Sequence, residues 1–258
     1  MNAPASPLRT EALTIAAGTR VLVRELSLSV QSGEFLAILG RNGCGKSLTL
    51  HALAGLSAPH AGCVLVHGAD VRTLPRREVA RQLGLLPQDR EESLAMTALE
   101  SVMIGRHPHL RFWQREGPQD LAIAQAALAR FGLTACATRL VATLSGGEQR
   151  RTAMAALLAQ APQIYLLDEP SNHLDPHHQI EILSQFRELC AQGACIIATL
   201  HDPTLAERFA DRALLLHGDG RHSIGPAAEV LNAESLSALY LTPMRALGSA
   251  PRRAFFPA

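Results

Sequence analysis

"FLAILGRNGCGKS" occupies Phe35–Ser47. Its first five residues, Phe35–Leu39, form an apolar run that predicts a buried strand. The next eight, "GRNGCGKS" (Gly40–Ser47), fit the spacing G-x-x-x-x-G-K-[ST]. A helix is expected from about Lys46 to Leu56, with Gly55 near its end. Strand, glycine loop and helix in that order make an anion cradle. Glycines let the backbone wrap close, successive N–H groups point inward, and the helix N-terminus adds partial positive charge. The reading assigns phosphate contact to Gly40, Arg41, Asn42, Gly43, Cys44, Gly45, Lys46, Ser47 and Leu48. Lys46 would reach the outer phosphates, and the Ser47 hydroxyl would ligate Mg²⁺.

Composition singles out the same lysine. The chain has 258 residues and 24 Lys plus Arg, of which Lys46 is the one lysine. Elsewhere arginine serves, so the exception marks a position that needs a compact ammonium on a flexible stem. The net charge is +1 and no long like-charge block occurs, which argues against a dedicated nucleic-acid binder. No apolar stretch reaches the ~18–20 residues of a membrane span. The N-terminus lacks the basic start and apolar core of a secretion signal, so a cytoplasmic chain is expected. Cys44, Cys63, Cys136, Cys190 and Cys195 have no zinc spacing, and their odd number argues against a complete disulfide framework.

Working outward, residues 13–39 read as strands with a turn at Ser32–Gly33, and Gly62–Val71 as a hairpin. A mostly helical stretch is expected from about Pro75 to Ala161. Strand character returns at Ile164–Glu169 and Ala194–Leu200, with a helix from about Pro176 to Gln192 between them. Alternating strands and helices imply an α/β core with a parallel sheet. "YLLDE" (Tyr165–Glu169) places two acids at a strand end. Asp168 can hold Mg²⁺, and Glu169 can polarise a water that attacks the γ-phosphate. The tail "GSAPRRAFFPA" is expected to be poorly ordered.

A second glycine-rich turn, "LSGGEQ" (Leu144–Gln149), precedes a helix through "EQRRTAMAALLAQ". The phosphate loop, LSGGEQ and "LLDEP", in that order, resemble the nucleotide-binding subunit of an ABC transporter. The resemblance covers roughly residues 10–235. It implies a P-loop NTPase core with a mostly parallel sheet, an N-terminal antiparallel β region and a helical subdomain of about 89–160 inserted in a RecA-like core. Residues 236–258 would be a C-terminal tail. Gln88 matches the Q-loop glutamine, which touches Mg²⁺ and the attacking water. Ser171–Asp175 ("SNHLD") matches the D-loop, and His201 the switch histidine that contacts the γ-phosphate. The resemblance also implies that Ser145, Gly146, Gly147, Glu148 and Asp175 serve the ATP of a second copy. Two subunits would sandwich two nucleotides across an isologous two-fold interface.

"GRHPH" (Gly105–His109) and "NHLDPHHQ" (Asn172–Gln179) are similar to importer ATPases for haem, ferric siderophores and corrinoids. The implied partners are two integral-membrane permease subunits and, indirectly, a substrate-binding protein, at the cytoplasmic face of a bacterial inner membrane. The groove for a permease helix would lie around Gln88–His109. The rival reading is a soluble ABC-type ATPase of translation or DNA repair. Tandem cassettes, long coiled-coil insertions or zinc insertions would mark that class, and none is seen. A small-molecule P-loop kinase would not need LSGGEQ, Gln88 or His201.

Two departures stand out. Family members usually stack an aromatic on adenine, whereas the matching stretch here is "AAGTR" (Ala16–Arg20). Either Arg20 stacks on the base instead or the adenine contact is weak, and modest base discrimination is expected. Cys44 sits in the phosphate loop, where an exposed thiol would be open to alkylation. The eleven histidines form no convincing ligand set.

Overall fold

The computed structural model describes residues 6–88, 95–111, 113–172, 174–250 and 252–258. Strands β1 (Leu8–Ala17), β2 (Arg20–Leu26) and β3 (Ser29–Val30) lead into β4 (Phe35–Leu39). Helix α1 (Lys46–Leu53) and the hairpin β5 (Ala61–Val66) and β6 (Ala69–Asp70) follow. The middle of the chain carries α2 (Arg76–Gln82), β7 (Leu83–Leu86), α3 (Ala98–Ile104), α4 (Pro118–Arg130) and α5 (Gly146–Gln160). Then come β8 (Ile164–Leu167), α6 (Pro176–Ala191), β9 (Cys195–Thr199), α7 (Pro203–Phe209), β10 (Arg212–Leu216) and β11 (His222–Pro226). The chain closes with α8 (Ala227–Val230), α9 (Ala233–Tyr240), β12 (Met244–Leu247) and β13 (Ala254–Pro257).

Six strands form the central sheet in the order β11-β10-β4-β9-β8-β7. All its pairings are parallel except that of β10 with β11. A second, antiparallel sheet joins β2, β1, β5 and β6, with β3 on β1. The α/β class, the parallel core and the N-terminal antiparallel region are therefore as the sequence predicts. Burial explains why the core strands read as unbroken apolar runs, since both faces of this sheet are covered. Along β4, Phe35, Ala37 and Leu39 pack into one core, and Leu36 and Ile38 into the other. Strand β9 alternates the same way, with Ile196 and Ala198 opposite Cys195 and Ile197. The first core takes in α4, α5 and α6; the second is closed by α1 and the antiparallel sheet.

Two expectations are corrected. Within the mostly helical stretch Pro75–Ala161 there is a strand that the sequence reading missed: Leu83–Leu86 forms β7, paired with β8 from Leu83↔Ile164 to Leu86↔Leu167. A four-residue apolar run carries no period that separates strand from helix, so long-range pairing decides. The expected disordered tail is a hairpin instead. Residues 244–247 pair with 254–257, and Phe255 is buried. Its backbone N–H donates to Thr204 Oγ1 at 3.1 Å, fixing the hairpin on α7. Pro251 in that tail, and residues 89–94 in the expected permease groove and helical subdomain, lie outside the described residues.

The hairpin is anchored by charge as well. The side chain of Glu207 on α7 is 0% exposed and receives Arg253 Nε at 2.8 Å and Nη2 at 3.0 Å. Removing the arginine would leave a buried carboxylate uncompensated. Arg253→Met is expected to lower unfolding free energy by about 3–5 kcal/mol in a urea titration. The double variant E207Q/R253M should recover part of the loss. A midpoint unchanged in Arg253→Met would overturn the assignment.

Candidate active site

The parallel register brings three loops to one end of the sheet. Strand β9 lies between β4 and β8, so the segments after Leu39, Leu167 and Thr199 emerge side by side. They carry the glycine loop, the acid pair and His201. A cleft of about 590 Å³ opens there. It is lined by loop residues Asn42, Gly43, Gly45, Lys46, Ser47 and Leu48, by Gln88, Glu169, Asn172 and His201, and by Ala17 and Leu22 from the antiparallel sheet.

The loop's glycines have separate reasons. Gly43 and Gly45 take φ of 74° and 104°, in the left-handed region that other residues avoid. At Gly40 the reason is contact: a Cβ there would stand 2.4 Å from Cys44 Sγ and 2.5 Å from the Leu216 carbonyl oxygen. No side chain caps the N-terminus of α1 at Gly45. Lys46 is buried and folded onto its own loop, donating from Nζ to Gly40 O at 2.9 Å and Arg41 O at 3.4 Å. The ammonium therefore borrows carbonyl partners that a phosphate could replace.

The acid pair is organised by Thr199, the last residue of β9 and fully buried. Its hydroxyl donates to Asp168 Oδ1 at 2.7 Å and accepts from Glu169 N at 2.7 Å. Asp168 is 1% exposed and sits deeper than Glu169. Glu169 has φ of 49°, an unfavourable conformation for a residue with a Cβ. The turn sends its carboxylate into the cleft. Oε1 lies 2.5 Å from His201 Nε2, and Oε2 accepts from Asn172 Nδ2. With Nε2 protonated, the histidine donates to the carboxylate.

The LSGGEQ turn is not part of this cleft. Ser145 is the N-cap of α5, with Oγ accepting from Glu148 N at 3.2 Å. Glu148 Oε2 reciprocates by accepting from Ser145 N at 2.7 Å, completing a capping box. That backbone N–H, followed by the Ser145 hydroxyl, holds the Glu148 carboxyl below its usual range. Asp175 caps α6, accepting from His178 N at 3.0 Å and lying 2.7 Å from His178 Nδ1. His178 N and then the imidazole keep its carboxyl low. Ser145, Gly146 and Asp175 are exposed, and a Cβ at Gly147 would stand 3.6 Å from Leu174 Cδ2. His173, within the D-loop stretch, lies outside the described residues.

Other expected contacts separate from the cleft. Gly40, Arg41 and Cys44 belong to the loop but do not line it. Cys44 is buried, against Gly40 and Gly218, so the exposed thiol considered from sequence does not exist. Burial raises its pKa, with Lys46 opposing. Arg20 donates from Nη2 to Gly218 O at 2.8 Å, which commits its guanidinium to a backbone carbonyl beside the cleft. His109 Nε2 lies 2.8 Å from Gln160 O, and His107 Nε2 lies 3.3 Å from Glu116. Among the described residues no cluster of three His, Cys, Asp or Glu is placed to hold a metal ion.

With this geometry, the comparisons decide the family. Residues 23–172 match the family described as ABC transporter. The chain belongs to the ABC transporter family. A hemin import ATP-binding protein of Deinococcus radiodurans is 40% identical over 245 residues, covering 93% of this chain and 92% of the relative. A petrobactin import ATP-binding protein of Bacillus anthracis is 36% identical over 226 residues, 87% of this chain and 83% of its own length. A cobalamin import ATP-binding protein of Halobacterium salinarum is 39% identical over 226 residues; the match takes in 87% of this chain but 56% of that relative, little more than half its length. Among solved structures, a chain of a metal-chelate type ABC transporter in an inward-facing conformation superposes with TM-score 0.85 and 28% identity, covering 98% of both. No described helix of this ABC-family chain is long and apolar enough to cross a membrane.

Three residues of this ABC-family site escape sequence reading. Thr199 looks like an ordinary strand residue, and Asn172 like part of the D-loop. Arg150 looks like one of two consecutive arginines on a helix, yet its guanidinium is buried against the acid pair. The signal available was spacing: Arg150 follows the LSGGEQ turn directly, on the helix it starts. Thr199→Val keeps shape and removes both hydroxyl bonds. It is expected to lower unfolding free energy by about 1–3 kcal/mol in chemical denaturation. A variant as stable as the parent would show that the hydroxyl does not organise the acid pair.

Proposed function

We propose that the chain is the ATP-binding and ATP-hydrolysing subunit of an importer for a metal chelate, a haem, ferric siderophore or corrinoid. The observation that carries the reading is the division of parts. One cleft holds lysine, hydroxyl, amide and a carboxylate–histidine pair, while the signature turn, exposed at Ser145 and Gly146, does not line it. Such a chain has one complete phosphate cradle and one half-site left over. A second copy related by two-fold symmetry supplies the rest, with Ser145, Gly146, Gly147, Glu148 and Asp175 on the partner's nucleotide. Nucleotide closes the dimer, and its loss opens it. The permease subunits, the binding protein and the inner-membrane location belong to this same reading. The import functions printed for the relatives support it. Residues 10–235 are the proposed ATPase domain and 89–160 its helical subdomain.

The donors present fit a polyphosphate with a hard divalent cation. Lys46 supplies one compact positive charge, and the uncapped start of α1 adds a second attraction. Ser47, Gln88 and Asp168 offer oxygen donors of the kind Mg²⁺ prefers and would hold it. Bound Mg²⁺ would supply charge neutralisation across the phosphates. The chain's own residues do the rest. Lys46 exchanges its carbonyl partners for phosphate oxygens. Glu169 takes the proton of the attacking water as the water oxygen bonds to the γ-phosphorus, the bond from that phosphorus to the β–γ bridging oxygen breaks, and ADP leaves with the bonding electrons. His201 and Asn172 hold that carboxylate, and Thr199 fixes the backbone it hangs from.

Glu169→Gln tests the core of the proposal. It is expected to bind ATP as the parent does, lose about 10²-fold or more of its turnover, and run as a dimer with ATP on size-exclusion chromatography. Hydrolysis at the parental rate would sink the catalytic assignment. Ser145→Arg is expected to keep nucleotide binding by monomers and abolish the ATP-dependent dimer. Uptake of labelled haem, siderophore and cobalamin by the assembled transporter decides the cargo. Copurification with no polytopic membrane protein would favour the soluble ABC-type alternative.

A further inference from the structure

We propose that Arg150 is a positioning residue through which each nucleotide site senses the other. The inference rests on the dimer described above. Arg150 lies on α5, five residues after Ser145, and is 6% exposed. Among the described residues its guanidinium donates to four backbone carbonyls. Nη1 reaches Pro87 O at 2.6 Å and Gln88 O at 3.2 Å. Nη2 reaches Asp168 O at 2.5 Å and Glu169 O at 3.0 Å. These are the carbonyls of the Q-loop glutamine and its neighbour, and of both acids.

The consequence follows from rigidity. A guanidinium is a planar fork with fixed donor directions, so it holds two separate backbone segments in one mutual geometry. It is attached to a helix of which the first residues form the signature turn. Ser145 and Arg150 are about 7.5 Å apart along the helix axis. Within one hydrogen-bonded helix, a displacement at one point moves the other. In the proposed dimer, the signature turn meets the nucleotide of the partner, whereas Gln88, Asp168 and Glu169 belong to the chain's own site. When the partner's nucleotide pulls on the turn, α5 moves, and Arg150 carries the movement to the backbone beneath the chain's own carboxylates. Glu169 is sensitive to it, because its left-handed φ of 49° is held by neighbours, not by its own preference. The contact with Glu169 O is one of those restraints, as is the Thr199 hydroxyl on its N–H. Arg150 touches neither phosphate nor water in this scheme and acts through the segments it holds.

The test is the ATP dependence of hydrolysis by the purified full-length chain and by Arg150→Gln and Arg150→Lys. The parent should show a Hill coefficient approaching its limit of about 2, one for each site. In Arg150→Gln the coefficient should fall to about 1 and kcat about 10-fold or more, while the affinity of monomers for a fluorescent ATP analogue stays unchanged. Arg150→Lys, which keeps the charge but not the fork, should behave like the glutamine variant. It also serves as the second variant if the glutamine one does not fold, with thermal melting as the check. A variant with reduced kcat but the parental Hill coefficient would reduce Arg150 to a structural residue and overturn the inference. So would lysine rescue, or a parent that hydrolyses ATP without cooperativity. A parent that binds no ATP or does not hydrolyse it would instead refute the proposed function itself.

Discussion

The parallel pairing of β4, β9 and β8 is the constraint on which the remainder depends. In an open parallel sheet the segments leaving the carboxyl ends of the strands share one edge, and ligands bind there. Here the middle strand is five buried residues, Cys195–Thr199, with β4 paired on one side and β8 on the other. A slip of either register would separate Lys46 from Glu169 and His201. Apolar alternation across two cores guards against it, because a one-residue shift would exchange the sets that each core has been shaped to accept.

The same edge must hold acids close together without letting them repel into disorder. Thr199 does this with one hydroxyl, donating to Asp168 and accepting from the backbone of Glu169. The two neighbouring acids consequently take different roles from position alone. Asp168 points into the fold beside its threonine, while the turn at Glu169 sends the second carboxylate towards His201 and Asn172. An Asp–Glu pair without the threonine behind it would have no reason to divide in this way. The strain at Glu169 persists because Thr199 and Arg150 bond to its N–H and its carbonyl.

How much of this was legible in the sequence depends on range. The glycine loop was readable because its chemistry is local: glycine φ freedom, a strand before it and a helix after it. The lone lysine among arginines pointed to the same place. The helix start at Ser145 was readable for the same reason, as a serine followed three residues later by glutamate is a capping box in one turn of chain. What escaped was set by distant partners. Strand β7 exists because β8 is there to pair with it. The terminal hairpin is ordered because Glu207, nearly fifty residues away in sequence, offers a buried carboxylate to Arg253. Whether the Cys44 thiol is exposed could not be read from its loop, because Gly218 of a later turn covers it. Arg20 reads as free to stack, yet the carbonyl of that same glycine takes it.

Helix α5 brings the two ranges together. Its first turn is fixed by its own residues, through the reciprocal bonds of Ser145 and Glu148. Its next turn is fixed by others, through Arg150 and the carbonyls at residues 87, 88, 168 and 169. A glycine-rich turn needs no buried arginine behind it merely to start a helix, since the capping box already does that. Nor do the acids need a cation from this helix to hold their carboxylates, because Thr199, His201 and Asn172 supply those contacts. What the arginine adds is a link between two backbone segments, Pro87–Gln88 and Asp168–Glu169, and the helix that the turn begins. A helix whose first turn is exposed and whose second turn holds the backbone of both acids ties the position of one to the position of the other.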